Sequence, residues 1–308
     1  MRNTFVEAFS KLAQINSKLF LITADLGFGT LTDFSKKHQN QFLNIGVAEQ
    51  NMTGVATGMA LEGRIVFTYS IANFPTLRCL EQIRNDAAYH DANVKIISVG
   101  GGFSYGSLGM SHHATEDLAI MRALPITVIA PGDLYEVKEA TKAIIEIPGV
   151  CYMRLDHSKF DHNIVIKNKR FMFGKGRRVL EGNDVTLIVT GGILNEALEA
   201  ANYLLQEYRI KCRVISMHTL NPIDKSEIYA ASKETGGIIT IEEHTVYGGL
   251  GGIVAEVCLE SGILPKFFYR IGLRSGFSSI VGSQQHLRGC YKMDKNAIVY
   301  KVLSFCKI

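Results

Sequence analysis

Apolar and polar positions alternate along the chain in two rhythms. Phe5, Ala8, Phe9 and Leu12 recur at helical spacing, and Leu19 to Thr23 then reads as a short buried strand. A helix over Val47 to Leu61, a strand over Ile65 to Thr68 and a helix over Leu80 to Tyr89 follow. Val94 to Val99 and Ile126 to Ala130 are apolar, β-rich runs of strand length, and Tyr135 to Ile147 is again helical. Alternation at this spacing predicts βαβ units, a mostly parallel sheet and helices on both faces.

The rhythm breaks between Lys159 and Asn183, a polar, basic stretch containing Gly174, Gly176 and Gly182. It reads as a linker with a little irregular strand. A second series follows, with strands over Val185 to Val189, Cys212 to Ser216, Ile238 to Ile241 and Phe267 to Ile271. Helices are expected over Asn195 to Glu207, Gly252 to Leu259 and Lys295 to Phe305, the last with Asp294 as its N-cap. The expectation is two doubly wound α/β domains with mostly parallel sheets, at 1–160 and 183–308, joined by a linker at 161–182.

Composition narrows the function. Of 308 residues, 47% are hydrophobic and 20% charged, which is globular, and the net charge of +4 comes with no Lys/Arg stripe. Nucleic acid and membrane surfaces therefore gain no support as partners. The amphipathic pattern beginning right after Met1-Arg2-Asn3 leads to the expectation of no signal peptide, and no apolar run reaches the ~18 residues of a membrane span. The six scattered cysteines form no C-x-x-C pair and read as reduced thiols of a cytoplasmic protein.

The chemistry concentrates at Asn44-Ile45-Gly46-Val47-Ala48-Glu49-Gln50-Asn51-Met52. A strand ends, a glycine turns, and a helix opens with Glu49 in its first turn. Spacing alone makes that Glu a cap or dipole partner. The longer run GVAEQNMTGVATGMALEG resembles the pyrimidine-domain signature of transketolases and deoxyxylulose-phosphate synthases. In that family the Glu hydrogen-bonds N1′ of the aminopyrimidine of thiamine diphosphate. A carboxyl in an apolar pocket can share a proton with that nitrogen, which lets the ring draw the proton from C2 of the thiazolium. The resemblance gives Glu49 this catalytic role.

The same resemblance places other residues. Asp25, in Thr23-Ala24-Asp25-Leu26, matches an Asp near the cofactor, though its type alone fits a turn. Phe74 matches the aromatic that stacks on the aminopyrimidine. Ile71 stands where a second Phe is usual, and Arg78 lies in the same cofactor-binding segment. Ser111-His112 matches a Thr-His pair, so His112 is expected to contact the substrate oxygen or move a proton. Arg154 matches a strand-end Arg that holds the substrate phosphate, a surface ion pair being the equal alternative. Glu116-Asp117 is expected to open a helix, and Glu242-Glu243-His244 with the glycines at 248, 249, 251 and 252 to serve architecture rather than metal binding.

Two departures stand out. Gly100 replaces the family's first His in this loop, and Ser107-Leu108 replace an acidic pair that reads a sugar hydroxyl. Such losses change specificity.

A transketolase also needs a diphosphate domain with a G-D-G…N motif holding Mg2+ or Ca2+. No G-D-G occurs here; Gly182-Asn183-Asp184 is the nearest string and precedes a strand of the wrong domain. The metal ligands and the diphosphate domain are therefore expected on a separate subunit, in a heterotetramer that transfers a two-carbon ketol unit between sugars or sugar phosphates. The alternatives are the β subunit of a 2-oxoacid dehydrogenase decarboxylase component, and a catalytically silent scaffold of the same fold.

Overall fold

The computed structural model of the chain describes residues 1–157, 170–274 and 276–306. Its strands are β1 (Leu19–Thr23), β2 (Phe42–Asn44), β3 (Ile65–Ile71), β4 (Val94–Val99), β5 (Thr127–Ile129), β6 (Cys151–Leu155), β7 (Arg177–Leu180), β8 (Val185–Thr190), β9 (Cys212–Ser216), β10 (Thr219–Asn221), β11 (Ile238–Thr245) and β12 (Phe268–Leu273). The helices are α1 (Arg2–Ile15), α2 (Thr32–Lys37), α3 (Glu49–Leu61), α4 (Leu80–Gln82), α5 (Asp117–Arg122), α6 (Leu134–Glu146), α7 (Leu194–Tyr208), α8 (Lys225–Glu234), α9 (Leu250–Ser261), α10 (Gln284–Cys290) and α11 (Lys295–Cys306).

Two sheets result among the described residues. One runs β10-β5-β6-β4-β3-β1-β2 and the other β12-β11-β8-β9-β7. Every pairing is parallel except β10 with β5 and β7 with β9. The parallel strands are buried on both faces, as their near-continuous apolar runs require. Phe5, Phe9, Phe67 and Tyr69 fill the layer between α1 and the first sheet, with Phe9 and Phe67 rings 4.5 Å apart.

The expected linker falls partly outside the described residues. Where description resumes, Arg177 opens β7 and its Nε donates to Glu136 of α6 at 2.6 Å, with Asp133 as its second partner. That range thus contains an ordered strand tied by a buried ion-pair network to the first sheet's helix. Asp294 caps α11 as expected, accepting from the Ala297 N–H at 3.0 Å. The expected helix over Leu80 to Tyr89 winds wide: α4 passes at Ile83–Ala88 into a π-helical stretch.

Candidate active site

Asp25, Ile71, Gly100 and Asp156 all lie at or just past the carboxyl ends of parallel strands of the first sheet. Ligands of open α/β sheets bind at that edge. Gly46 turns the chain there with φ +78, and α3 then starts at Glu49. No side chain caps this helix, and Glu49 is the acidic residue of its first turn, where the helix dipole favours negative charge. The Glu49 side chain is 2% exposed and its Oε2 accepts from Arg78 Nη1 at 2.9 Å. The setting is therefore not the wholly apolar one that the sequence suggests; a guanidinium stands against the carboxylate.

Arg78 lies over Phe74, its guanidinium carbon 4.3 Å from the ring centroid. The other neighbour of Phe74 is His112, edge-on at 5.3 Å. Burial and the adjacent His113 hold the His112 imidazole below its ordinary pKa, so it is neutral at neutral pH. Its Nδ1 lies 3.0 Å from the Ser111 hydroxyl. Asp25 adopts φ +53, and its amide donates to Asn44 Oδ1 at 2.9 Å, as the Gly46 amide does at 3.1 Å. Ile71 is half-buried at the end of β3.

The structure gives Arg154 a different place from the expected one. It is 2% exposed, and its three nitrogens donate inward: Nε to Asp156 at 3.0 Å, Nη1 to Asp117 at 3.2 Å, Nη2 to the Glu243 carbonyl at 2.9 Å. Burial alone would weaken its hold on the proton, and Asp156 and Asp117 more than offset this. A guanidinium so committed has no free edge for a substrate phosphate, so the expectation is corrected: Arg154 joins the two sheets. Asp117 does open α5, but it is buried and also accepts from the Tyr152 hydroxyl at 2.6 Å.

Glu243, on β11, completes the junction. Its Oε1 accepts from the Phe103 amide at 2.6 Å and from Gln284 Nε2 at 2.8 Å, and its Oε2 pairs with Arg288. The loop that carries His112 is thereby held by the second half of the chain. Among the described residues no three His, Cys, Asp or Glu side chains gather as a metal ion would need.

Three residues at this edge are not marked by the sequence pattern. Tyr105 lies between His112 and His157, its ring 6.5 Å and 5.1 Å from theirs. Arg2, at the start of α1, stands near Tyr105 and is a cation that acts on its hydroxyl. The glycine at 100 is the available clue to Tyr105; nothing local marks Arg2 or His157.

Residues 1–161 match the family model of the transketolase pyrimidine-binding domain, and residues 174–298 that of the transketolase C-terminal domain. The chain belongs to the transketolase family. Its members depend on thiamine diphosphate. A subunit of the apulose-4-phosphate transketolase of Phocaeicola vulgatus is 34% identical over 308 residues, covering 99% of this chain and 97% of that one. The 6-deoxy-6-sulfo-D-fructose transketolase subunit SqwH of a Clostridium species is 33% identical over 301 residues, covering 97% of this chain and 92% of that one. A solved split gene transketolase, described as an inactive beta4 tetramer, superposes with TM-score 0.86 at 36% identity, over 98% of this chain and 96% of that one. Transketolase from Campylobacter jejuni shares the fold at TM-score 0.77 and 18% identity, with 98% of this chain matching 46% of its length.

Proposed function

We propose that this chain is one subunit of a split transketolase, moving a two-carbon ketol unit from a ketose to an aldose on thiamine diphosphate held against a diphosphate-binding partner. The observation that carries the reading is the state of Glu49. Its carboxylate is buried, one oxygen pairs with Arg78, and Oε1 accepts no hydrogen bond from any described residue. A carboxylate oxygen with no partner of its own is free to accept from a donor that docks against it. The protonated ring nitrogen of an aminopyrimidine is such a donor, and the Phe74 ring beside it is a surface for stacking.

The ground around Glu49 fits a face that another subunit covers. Phe28, Val47 and Leu77 are 80%, 76% and 49% exposed. A Cβ added at Gly46, Gly54 or Gly58 would meet nothing within 4 Å. Exposed apolar groups of this kind mark interaction surfaces. The Phocaeicola and Clostridium relatives are both named as transketolase subunits, which supports a partner subunit; on this reading the assembly is a two-plus-two heterotetramer with Mg2+ or Ca2+ and its ligands on the partner.

When bound, thiamine diphosphate supplies the nucleophilic carbon. This chain's residues do the rest. Glu49 holds the proton at the pyrimidine nitrogen. Phe74 and Ile71 shape the ring's seat, with Asp25 and Arg78 at its rim. Neutral His112 accepts or donates a proton at the substrate oxygen.

Exchange of the cofactor's C2 proton, followed by NMR in the assembled pair, tests the assignment. Glu49→Gln should slow exchange by roughly 100-fold or more with the complex intact by sedimentation. Exchange at the wild-type rate in that variant would remove the basis of the reading.

A further inference from the structure

Glu49, Arg78, Phe74, His112, Tyr105 and His157 form one row across the strand ends. Arg78 links Glu49 at 2.9 Å to the Phe74 ring at 4.3 Å. His112 continues from Phe74 at 5.3 Å, and Tyr105 and His157 follow at 6.5 Å and 5.1 Å between ring centres. On the ketol-transfer reading, the cofactor occupies the Glu49–Phe74 end. A sugar that meets His112 would then extend toward Tyr105.

The Tyr105 ring lies directly on the end of β4. A Cβ added at Gly100 would stand 2.1 Å from its Cε2 and 2.3 Å from its Cδ2, so only glycine leaves room for it. Gly100 also has φ +92, a conformation that side-chain-bearing residues rarely adopt. The loop that carries the ring is held at more than one point. The Tyr105 carbonyl accepts from the Leu108 amide at 2.9 Å, closing a 3-10 turn. The His157 amide donates to Ser104 Oγ at 3.1 Å, fixing that neighbour to the same loop. A ring packed on Gly100, beside His157 and on a loop tied in this way, stands as a wall.

We propose that Tyr105 sets the length of sugar the site accepts, by closing the end of the pocket that lies beyond His112. This rests on the ketol-transfer reading and concerns only the shape of the acceptor end. A shorter side chain at 105 opens space over Gly100 for further CHOH units, while phenylalanine keeps the wall and removes only the hydroxyl.

The assembled enzyme is assayed with hydroxypyruvate as donor and glyceraldehyde, erythrose, ribose or glucose as acceptor. Tyr105→Ala should raise the ratio of kcat/KM for glucose to that for glyceraldehyde at least about tenfold, through KM. Tyr105→Leu should shift it in the same direction, and serves where the alanine variant does not fold. Tyr105→Phe should leave the ratio within about twofold. Uniform loss across the four acceptors, or an unchanged ratio in both shortened variants, overturns the proposal while transfer itself continues. Cofactor C2 exchange without transfer to any acceptor overturns the ketol-transfer reading, and the length proposal with it.

Discussion

Arg154 and Glu49 are both buried charged side chains, and their surroundings assign them opposite tasks. Arg154 satisfies two carboxylates and a carbonyl drawn from both sheets. Removing one partner of such a set leaves uncompensated buried charge, which costs about 3–5 kcal/mol. Arg154→Met should therefore lower unfolding free energy in urea by about that amount. The KM of the folded fraction for a phosphorylated sugar should stay near the wild-type value, whereas loss of a phosphate-binding Arg would raise it. Glu49 is legible in sequence because its motif is local: strand end, glycine and helix start lie within a few residues. The place of Arg154 is not, because its partners Asp117 and Glu243 are distant in sequence, and burial at a junction leaves no local mark.

Elements follow the same logic. Strands such as β4 and β9 match their expected limits because a long apolar run between helices has few other fates. The short α2 and α10 are not anticipated as elements of their own, since so few residues give periodicity too small a window. β10 is invisible for another reason: its identity comes from β5, with which Thr219 and Asn221 pair. The turn into β10 carries His218, which is fully buried, stacked on Phe171 at 4.4 Å, and has no partner for Nε2 among the described residues. Burial, reinforced by Arg177, pushes its pKa down from 6.5 to about 4. Folding thus favours the neutral ring. The stabilisation is complete above pH 6.5 and is lost as pH falls toward 4, by on the order of 3 kcal/mol at most. The urea midpoint should fall over that interval, and His218→Gln should flatten the fall; an equal slope in the variant would assign it to other groups.

At the scale of the molecule, the two α/β halves are legible from the alternation of strand and helix, but their interlocking is not. β10 crosses to the first sheet, and Arg177 and Arg154 bind across the junction. On the proposed function the face around Glu49 takes the pyrimidine ring and a partner takes the diphosphate. Calorimetry with thiamine diphosphate and Mg2+ should therefore show binding at least about 100-fold weaker for the chain alone than for the chain with its diphosphate-binding subunit, because a cofactor gripped at one end loses most of its contacts. Equal affinity in the two preparations would mean that this chain holds the cofactor unaided.

The grip of Glu243 on the loop reaches beyond one molecule. The Phe103 amide, Gln284 and Arg288 share its carboxylate, so the residues that shape the pocket and those that steady it sit on opposite halves of the chain. Recombination that exchanged one C-terminal domain for another would loosen the Gly100–His113 loop unless that loop travelled with it. An exchange that kept the fold would have to carry the Phe103 loop together with Glu243, Gln284 and Arg288.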